Sequence, residues 1–526
     1  MPELEDRIRA VRPEWPTPPA ALEERILGAM GLADSPPRVH NRPSAWLSRG
    51  MRSRRARMLV VGAVLAGSGA ALAVALVGRG GTATTGERAS LAFGSPELVG
   101  DVPGFDTAVD AAVDDEGRVA VVWTRAGRVV VSTRPAGGSW STPARLSDPA
   151  RRAAYPRIGA DSAGRFTVIW RERLPGRRVS RDLTLPDGSS AGTLEARVGT
   201  RWQIAGRTAD PQGRWGEVER VSEPTGMLRA VYRPQLSVAA SGVATAVFAA
   251  DGRAWASRRS PDGAWEAEPI GATAGSAVDL DLQGDRASGR VVATWQARVV
   301  DPVAGPQWRA WASVRGASGS WSSPHELGQS GTGKRRPAAA IGRDGDAVVA
   351  WAEDGFVATV RGASGDWSAP ATVIATPGSD FQTQDRPAVG VDGRGVAALA
   401  GVFWQIEPFP GGFSGTATPP WLVRHEAGGW GPRSRIGGGP TGLSIVPDSA
   451  GGLVVLSGPR GRAARAQLHP IAPDGTPGAT RAAPAGIRPD RMAVGDDGTI
   501  VLVGTRQGPD DGRLQVVAAV APAGGS

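Results

Sequence analysis

Residues 336–374 read "RPAAAIGRDGDAVVAWAEDGFVATVRGASGDWSAPATVI", and this stretch contains the features that decide the fold. It opens with Arg-Pro and a short apolar run, and an Asp/Gly turn leads to a second run that ends in Trp351. A third run ends in a Ser/Gly turn, and Trp367 begins a fourth. Runs of this length, separated by hairpin-type turns, are typical of antiparallel strands. The stretch therefore predicts one four-stranded antiparallel sheet.

The same order of features recurs along the chain. Residues 233–270 read "RPQLSVAASGVATAVFAADGRAWASRRSPDGAWEAEPI", with Phe248 in the place of Trp351. Eight such units begin near residues 109, 155, 233, 277, 336, 386, 441 and 488. Repeats of about 40–50 residues with four strands each indicate the blades of a β-propeller. We predict an all-β propeller with eight blades, and seven is the alternative because the last two units are degenerate.

The two ends of the repeat region complement each other. The last unit lacks the "W-S-x-P" strand found in others, while "FGSPELVG" at residues 93–100 resembles that strand and has no unit before it. We expect the two segments to share one blade and close the ring. The composition agrees, since 74 glycines and 43 prolines are typical of a turn-rich chain.

An uncharged segment precedes the propeller. Residues 58–78, "MLVVGAVLAGSGAALAVALVG", would span about 31 Å as a helix, which matches a bilayer core. An arginine-rich stretch without acidic residues comes before it, and positive charge favours the cytoplasmic side. We predict a cytoplasmic, partly helical or disordered segment (1–57), a transmembrane helix (58–78), a flexible linker (79–90) and an extracytoplasmic propeller (91–526). A cleavable signal peptide is the alternative, although its apolar core is normally shorter.

The propeller region resembles the sialidase-like propellers, which occur in many membrane-anchored and secreted bacterial proteins. The resemblance covers roughly residues 91–523 and rests on Gly-x-Trp turns that look like degenerate versions of the family's Asp-box, Ser-x-Asp-x-Gly-x-Thr-Trp. "SPDGAW" at residues 260–265 is the nearest match, although Asp262 directly precedes Gly263. These turns are structural in the family, so the resemblance implies the fold and not an activity.

Sialidase chemistry would require a tyrosine nucleophile, a glutamate partner, an acid/base aspartate and three arginines. The only tyrosines are Tyr155 and Tyr232, and Gly159 stands where the family's Arg-Ile-Pro signature has proline. We therefore predict no catalytic residues and no enzymatic activity, with a glycoside hydrolase as the least favoured alternative.

Two further motifs indicate no cofactor. "GQSGTGKRR" at residues 328–336 has the spacing of a phosphate-binding loop, but Arg335 replaces the Mg²⁺-binding hydroxyl and no helix follows. The chain has no cysteine, its four histidines form no zinc pair, and aspartates such as Asp114 and Asp497 are expected to cap hairpin turns. We predict no metal, no cofactor and no nucleic-acid partner.

The candidate ligand-binding residues lie where one blade leads into the next. In a propeller these junctions share a face with the loops that join second to third strands, and the long insertions at residues 171–199, 301–307 and 405–420 are of that kind. We predict a ligand site formed by Arg157, Arg233, Arg336, Arg386, Arg488, Tyr155 and Tyr232. Arginines in a concave mouth bind carboxylates and phosphates well. The alternative is that they pair with acidic residues across the junctions.

The predicted function is that of a binding or scaffold module at the cell membrane, with an anionic glycan or envelope polymer as ligand. A second class is a transmembrane, anti-sigma-like regulator with the propeller as sensor. In that case the short amphipathic stretch "TPPAALEERILGAM", residues 17–30, would bind a cytosolic regulator.

Overall fold

The computed structural model describes residues 91–523, except residues 103–107, 185–189, 226–232, 272–274, 302–304, 317–318, 331–335, 363, 384–385, 410–411, 427–428, 459–464 and 509–513. Every regular element in this part of the chain is a β-strand. No helix among the described residues is long and apolar enough to cross a membrane. The segments predicted at residues 1–57, 58–78 and 79–90 lie outside the described residues, so their assignments stay predictions.

Four-stranded antiparallel sheets follow one another along the chain. After β1 (Glu97–Val102), the first blade comprises β2 (Val109–Val113), β3 (Val119–Arg125), β4 (Arg128–Arg134) and β5 (Ala144–Arg145). The second comprises β6 (Arg152–Ala160), β7 (Phe166–Leu174), β10 (Arg201–Thr208) and β11 (Glu219–Arg220), with the hairpin of β8 (Arg177–Thr184) and β9 (Ser190–Val198) inserted. The third comprises β12 (Gln235–Val238), β13 (Ala244–Ala250), β14 (Arg253–Arg259) and β15 (Trp265–Pro269). The fourth comprises β16 (Ser276–Gly284), β17 (Val291–Asp301), β18 (Gly305–Arg315) and β19 (His325–Ser330).

The second half repeats the arrangement. The fifth blade comprises β20 (Ala338–Ile341), β21 (Ala347–Glu353), β22 (Gly355–Arg361) and β23 (Ala371–Ala375). A small sheet of β24 (Phe381–Thr383), β27 (Phe403–Phe409) and β28 (Gly412–Ala417) accompanies the sixth blade, which comprises β25 (Ala388–Val391), β26 (Ala397–Gly401), β29 (Trp421–Glu426), β30 (Gly429–Trp430) and β31 (Ser434–Arg435). The seventh comprises β32 (Gly439–Pro447), β33 (Leu453–Gly458), β34 (Gln467–Ile471) and β35 (Arg481–Ala482). The eighth comprises β36 (Arg488–Val494), β37 (Ile500–Gln507), β38 (Leu514–Ala521) and β1.

The first strands of the blades form a closed cycle. Contacts run from β2 to β6, β12, β16, β20, β25, β32 and β36, and β36 contacts β2 again. The sheets therefore surround a central channel lined by these strands. The prediction of a β-propeller with eight blades is confirmed, and the seven-bladed alternative is excluded.

A hydrophobic cluster fills each interface between neighbouring blades, and eight such clusters occur among the described residues. The aromatic residues predicted at the ends of the second strands lie in these clusters. Trp123, Trp170, Trp295 and Trp351 are at most 1% exposed. The recurring tryptophans therefore serve the packing of blade against blade.

The ring closes through strand β1. It pairs antiparallel with β38, from Glu97 opposite Ala518 to Val102 opposite Leu514. A side chain at Gly100 would place its Cβ 2.5 Å from Cζ2 of Trp123 in the first blade, so a larger residue does not fit there. The predicted shared blade is confirmed.

Turns and insertions largely follow the prediction. Asp114 accepts hydrogen bonds from the backbone N–H groups of Glu116 and Arg118, which is the capping role expected of the turn aspartates. In the segment predicted as an insertion at residues 301–307, Asp301 and residues 305–307 belong to the ends of the long strands β17 and β18, which pair out to Asp301 opposite Gly305. Gly328, the first residue of the phosphate-loop-like motif, lies within strand β19, and residues 331–335 lie outside the described residues.

We expect a variant that begins at residue 103 to be less stable than one that begins at residue 91. The shorter variant loses β1 and exposes the hydrophobic partners of Leu91 and Val99, which are buried against blades seven, eight and one. Burial of side chains of this size contributes about 1.5–3 kcal/mol each, so the free energy of unfolding should fall by at least about 3 kcal/mol. Urea unfolding measures this difference, and equal stabilities would show that the ring closes without β1.

Candidate functional site

Equivalent positions of the eight first strands lie at one level of the channel. In blades one to five this position pairs with the second-strand residue directly before the buried aromatic, as Asp110 pairs with Val122 before Trp123. In blades six to eight it pairs with the equivalent residues Ala400, Leu456 and Val503. Going round the ring, the residues at this level are Asp110, Arg157, Gln235, Asp281, Ala338, Ala388, Ser444 and Arg491. Charged and polar side chains therefore gather at one height of the channel.

The two aspartates of this level connect neighbouring blades. Oδ2 of Asp110 accepts a hydrogen bond from the backbone N–H of Ile158 at 3.1 Å. Oδ1 of the same carboxylate lies 3.8 Å from Nε of Arg491. Asp281 repeats the pattern, since its Oδ2 lies 2.5 Å from Nη2 of Arg386 and 3.4 Å from the backbone nitrogen of Ala339. Both carboxylates thus have backbone and arginine partners.

Arg157 is a buried cation of the channel. Its side chain is buried, with the residue 8% exposed, and it donates to Oε1 of Gln235 at 3.0 Å and to the carbonyl of Pro156 at 3.1 Å. In the described part of the chain no carboxylate forms an ion pair with it. Burial, and then repulsion from other arginines such as Arg491, lower its pKa from 12.5 to about 10, although Asp110 opposes this. A buried cation here lacks a full counter-charge.

The remaining predicted residues have different environments. Arg386 forms the ion pair with Asp281, and this pair raises its pKa. Arg336 lies 3.9 Å from Asp279, so the alternative of pairing across blade junctions applies to these two arginines. Arg233 is exposed, and Arg233 and Arg386 are both close enough to Arg157 to lower its pKa. Tyr232 lies outside the described residues.

The eighth blade contributes charges to the same channel. Arg488 begins the innermost strand β36, and Asp490 and Arg491 follow it on the same strand. Asp490 is reached by solvent, yet surrounding protein raises the pKa of its carboxyl despite the opposing effect of Arg491 and Arg488. Solvent exposure together with a raised pKa is expected for a carboxyl group inside a concave channel.

Sequence reasoning missed Asp110, Gln235, Asp281 and Arg491, which share the level of Arg157. A signal was present for Asp110, Gln235 and Asp281, because each lies in a first strand opposite the residue that directly precedes the second-strand aromatic. Arg491 has no such signal, because Gly504 takes the place of the aromatic in its blade. In β36 a bulge between Pro489 and Arg491 puts the level three residues after Arg488, whereas Gln235 lies two residues after Arg233, so counting from the Arg-Pro signature misses Arg491.

The mouth of the channel is the end at which one blade leads into the next. Arg286 lies across the other end, where the turns between first and second strands emerge. It belongs to the turn after β16, and it pairs with Asp115 of the first blade at 2.5 Å and with Asp496 of the eighth. Its Nε also donates to the carbonyl of Ala160 in the second blade at 3.3 Å. A ligand for the channel arginines, such as Arg157, would therefore enter from the mouth.

No group of three or more acidic or histidine side chains in the described ranges could hold a metal ion.

Several solved structures are similar to this chain. The NanB sialidase from Streptococcus pneumoniae is 10% identical with a TM-score of 0.34, and the match covers 59% of this chain and 67% of that one. The Dos1 propeller is 10% identical with a TM-score of 0.43, over 80% and 93%. An α-L-arabinanase from Penicillium chrysogenum is 11% identical with a TM-score of 0.35, over 81% and 98%. At these identities the likeness concerns the fold alone, and sialidases are among the propellers it includes. No protein-family model matches the chain, and no curated protein does.

One expectation is wrong by this comparison. The sequence led us to predict a protein without enzymatic activity, whereas the similar structures include glycan-processing enzymes, among them the sialidase and the arabinanase. The expectation rested on missing sialidase residues and on the absence of a phosphate loop or metal site, while one fold carries many chemistries on different residues.

A serine and a histidine are hydrogen-bonded in the seventh blade. Oγ of Ser457 lies 3.0 Å from Nε2 of His469, and Nδ1 of His469 lies 3.0 Å from Oγ1 of Thr480. Ser457 is 0% exposed, so a substrate has no access to its hydroxyl. Burial lowers the pKa of His469, which indicates a neutral ring held within the blade.

We expect His469 to make the protein sensitive to acid. Since its pKa in the folded state lies below the ordinary value of 6.5, the unfolded chain takes up the proton first as the pH falls. The free energy of unfolding should therefore decrease as the pH drops below about 6.5. Urea unfolding at pH 7.5 and pH 5 should show a smaller decrease for His469→Gln than for the wild type, and an identical decrease would contradict this role.

Proposed function

We propose that the channel mouth binds an acidic group of an anionic glycan or cell-envelope polymer. The single observation that carries the proposal is the buried, incompletely compensated guanidinium of Arg157 among Arg233, Arg386 and Arg491. The acidic character of the ligand follows from these arginines. The glycan class is taken from the named sialidase and arabinanase, which act on glycans.

A bound anion would supply the counter-charge that Arg157 lacks. The lowering of its pKa from 12.5 to about 10 corresponds to roughly 3 kcal/mol against the charged form, which an anion at this position could recover. Guanidinium groups bind carboxylates and phosphates with two parallel hydrogen bonds. The ion pairs of Asp110 and Asp281 would keep the neighbouring arginines in place around such a group.

We expect Arg157→Gln to weaken binding at least tenfold without lowering the melting temperature, because the variant removes the uncompensated charge and keeps a polar side chain. Isothermal titration of the full-length protein with polygalacturonate and polysialate, and with neutral dextran for comparison, measures the effect. Arg214→Gln is the matched control, since Arg214 is 80% exposed and pairs with Asp210 in an outer turn. Wild-type affinity in Arg157→Gln would place the site elsewhere, and no binding of either acidic polymer would contradict the proposal.

We also propose that the protein is anchored by residues 58–78 with the propeller outside the cytoplasm. The support is the uncharged 21-residue segment after an arginine-rich stretch. Binding of a cytosolic regulator by residues 17–30 stays a prediction.

Protease added to intact cells should remove an epitope placed after residue 523 and spare one placed at residue 10. The physical reason is that the bilayer shields the cytoplasmic segment. Protection of both epitopes would contradict the orientation, and permeabilised cells provide the control that both are cleavable.

A further inference from the structure

Two first strands contain a residue in the left-handed backbone region at equivalent places. Tyr155 in β6 has a φ of +56° and Asp279 in β16 a φ of +50°. Each lies in a bulge two residues before the charged position of its strand, Arg157 or Asp281. Residues other than glycine seldom adopt this conformation, and where they do the surroundings hold them in it. The bulges therefore aim two particular side chains at the channel mouth.

The ring of Tyr155 lies between arginines. Cζ of Arg233 is 4.9 Å from the centre of the ring, and Cζ of Arg171 is 4.7 Å from it. Arg171 is in turn 4.4 Å from the ring of Trp202. These four side chains form an alternating series of cations and aromatic rings that leads from the third strand of the second blade to the mouth.

The equivalent bulge of the fourth blade holds its arginine in another way. Arg336 begins the fifth blade as Arg233 begins the third, and its Nε lies 3.9 Å from the carboxylate of Asp279. A carboxylate neutralises the charge of the arginine that it holds. An aromatic ring attracts a guanidinium through its quadrupole and leaves the positive charge intact. The two bulges therefore differ in the charge they leave available.

We propose that Tyr155 is a positioning residue of the anion site, which holds Arg233 at the mouth through its ring face and leaves its charge for the ligand. This inference rests on the proposed function. Arg233 forms no ion pair with any described carboxylate, and it is close enough to Arg157 to lower the pKa of that residue. Arg157 and Arg233 together then make the second-to-third-blade side of the mouth the anion-binding side. The phenolic hydroxyl has no part in this role.

The test compares substitutions of Tyr155 in the full-length protein, with pentagalacturonate as the probe. Tyr155→Phe keeps the ring and should bind within twofold of the wild type. Tyr155→Leu removes the ring and should weaken binding about threefold to tenfold, the range expected for loss of a cation–π contact. Tyr155→Asp should weaken binding at least as much, because it places a neutralising carboxylate beside Arg233. Asp279→Asn, the matched change in the equivalent bulge, should not weaken it.

A second measurement is independent of any glycan. The rate at which phenylglyoxal modifies Arg233, followed by peptide mass spectrometry, should rise several-fold in Tyr155→Leu and stay at the wild-type rate in Tyr155→Phe. Tyr155→Asn serves where the leucine variant fails to fold, since asparagine accepts the left-handed conformation more readily and also lacks the ring.

The outcomes separate this inference from the proposed function. If the wild type binds no acidic glycan, the proposed function fails, and the inference fails with it as a statement about a ligand site; a raised modification rate would then support only the holding of Arg233. If the wild type binds and Tyr155→Leu binds equally well with an unchanged modification rate, the positioning role of Tyr155 is overturned and the site stands. Weaker binding of Tyr155→Phe would assign the effect to the hydroxyl and also overturn the inference.

Discussion

Each blade of this protein has two apolar faces, and only a closed ring can cover all of them. The eight clusters between blades depend on one another for this reason, because an opening at any interface exposes two faces at once. The pairing of β1 with β38 holds the ring closed, since it joins segments more than 400 residues apart in the same sheet. All other features, including the channel, follow from this closure.

Closure also explains why charged residues are found at the centre of the molecule. First strands converge there, and their side chains cannot all be apolar without filling the channel with a second core. Arg386 of the sixth blade reaches Asp281 of the common level, two blades away. The charges partly satisfy one another, whereas neither Arg157 at this level nor Arg233 at the mouth forms an ion pair with a described carboxylate, and both add to the positive character of the channel.

Most of the fold could be predicted from the sequence, because the signals are local. Each signal lies within one blade: the Arg-Pro before a strand, Trp351 or its equivalent at the end of the next strand, and the Gly-x-Trp turn. The predicted blade starts lie within three residues of the first residues of the observed strands. The site was predictable only in part. Arg157, Arg233, Arg336 and Arg386 were named, but their partners come from other blades, and the bulge at Tyr155 moves the register in a way that no local pattern reveals.

Arg286 has a mechanical consequence for the ring. It extends from the fourth blade to the first, second and eighth blades, so it connects opposite sides of the ring. A ring held only at its rim can become oval, and ovalisation would bring some mouth arginines together and move others apart. The contacts of Arg286 oppose this distortion near the eighth blade, where β1 pairs with β38. The spacing of the cations at the mouth is therefore a property of the whole circle, maintained from its far side.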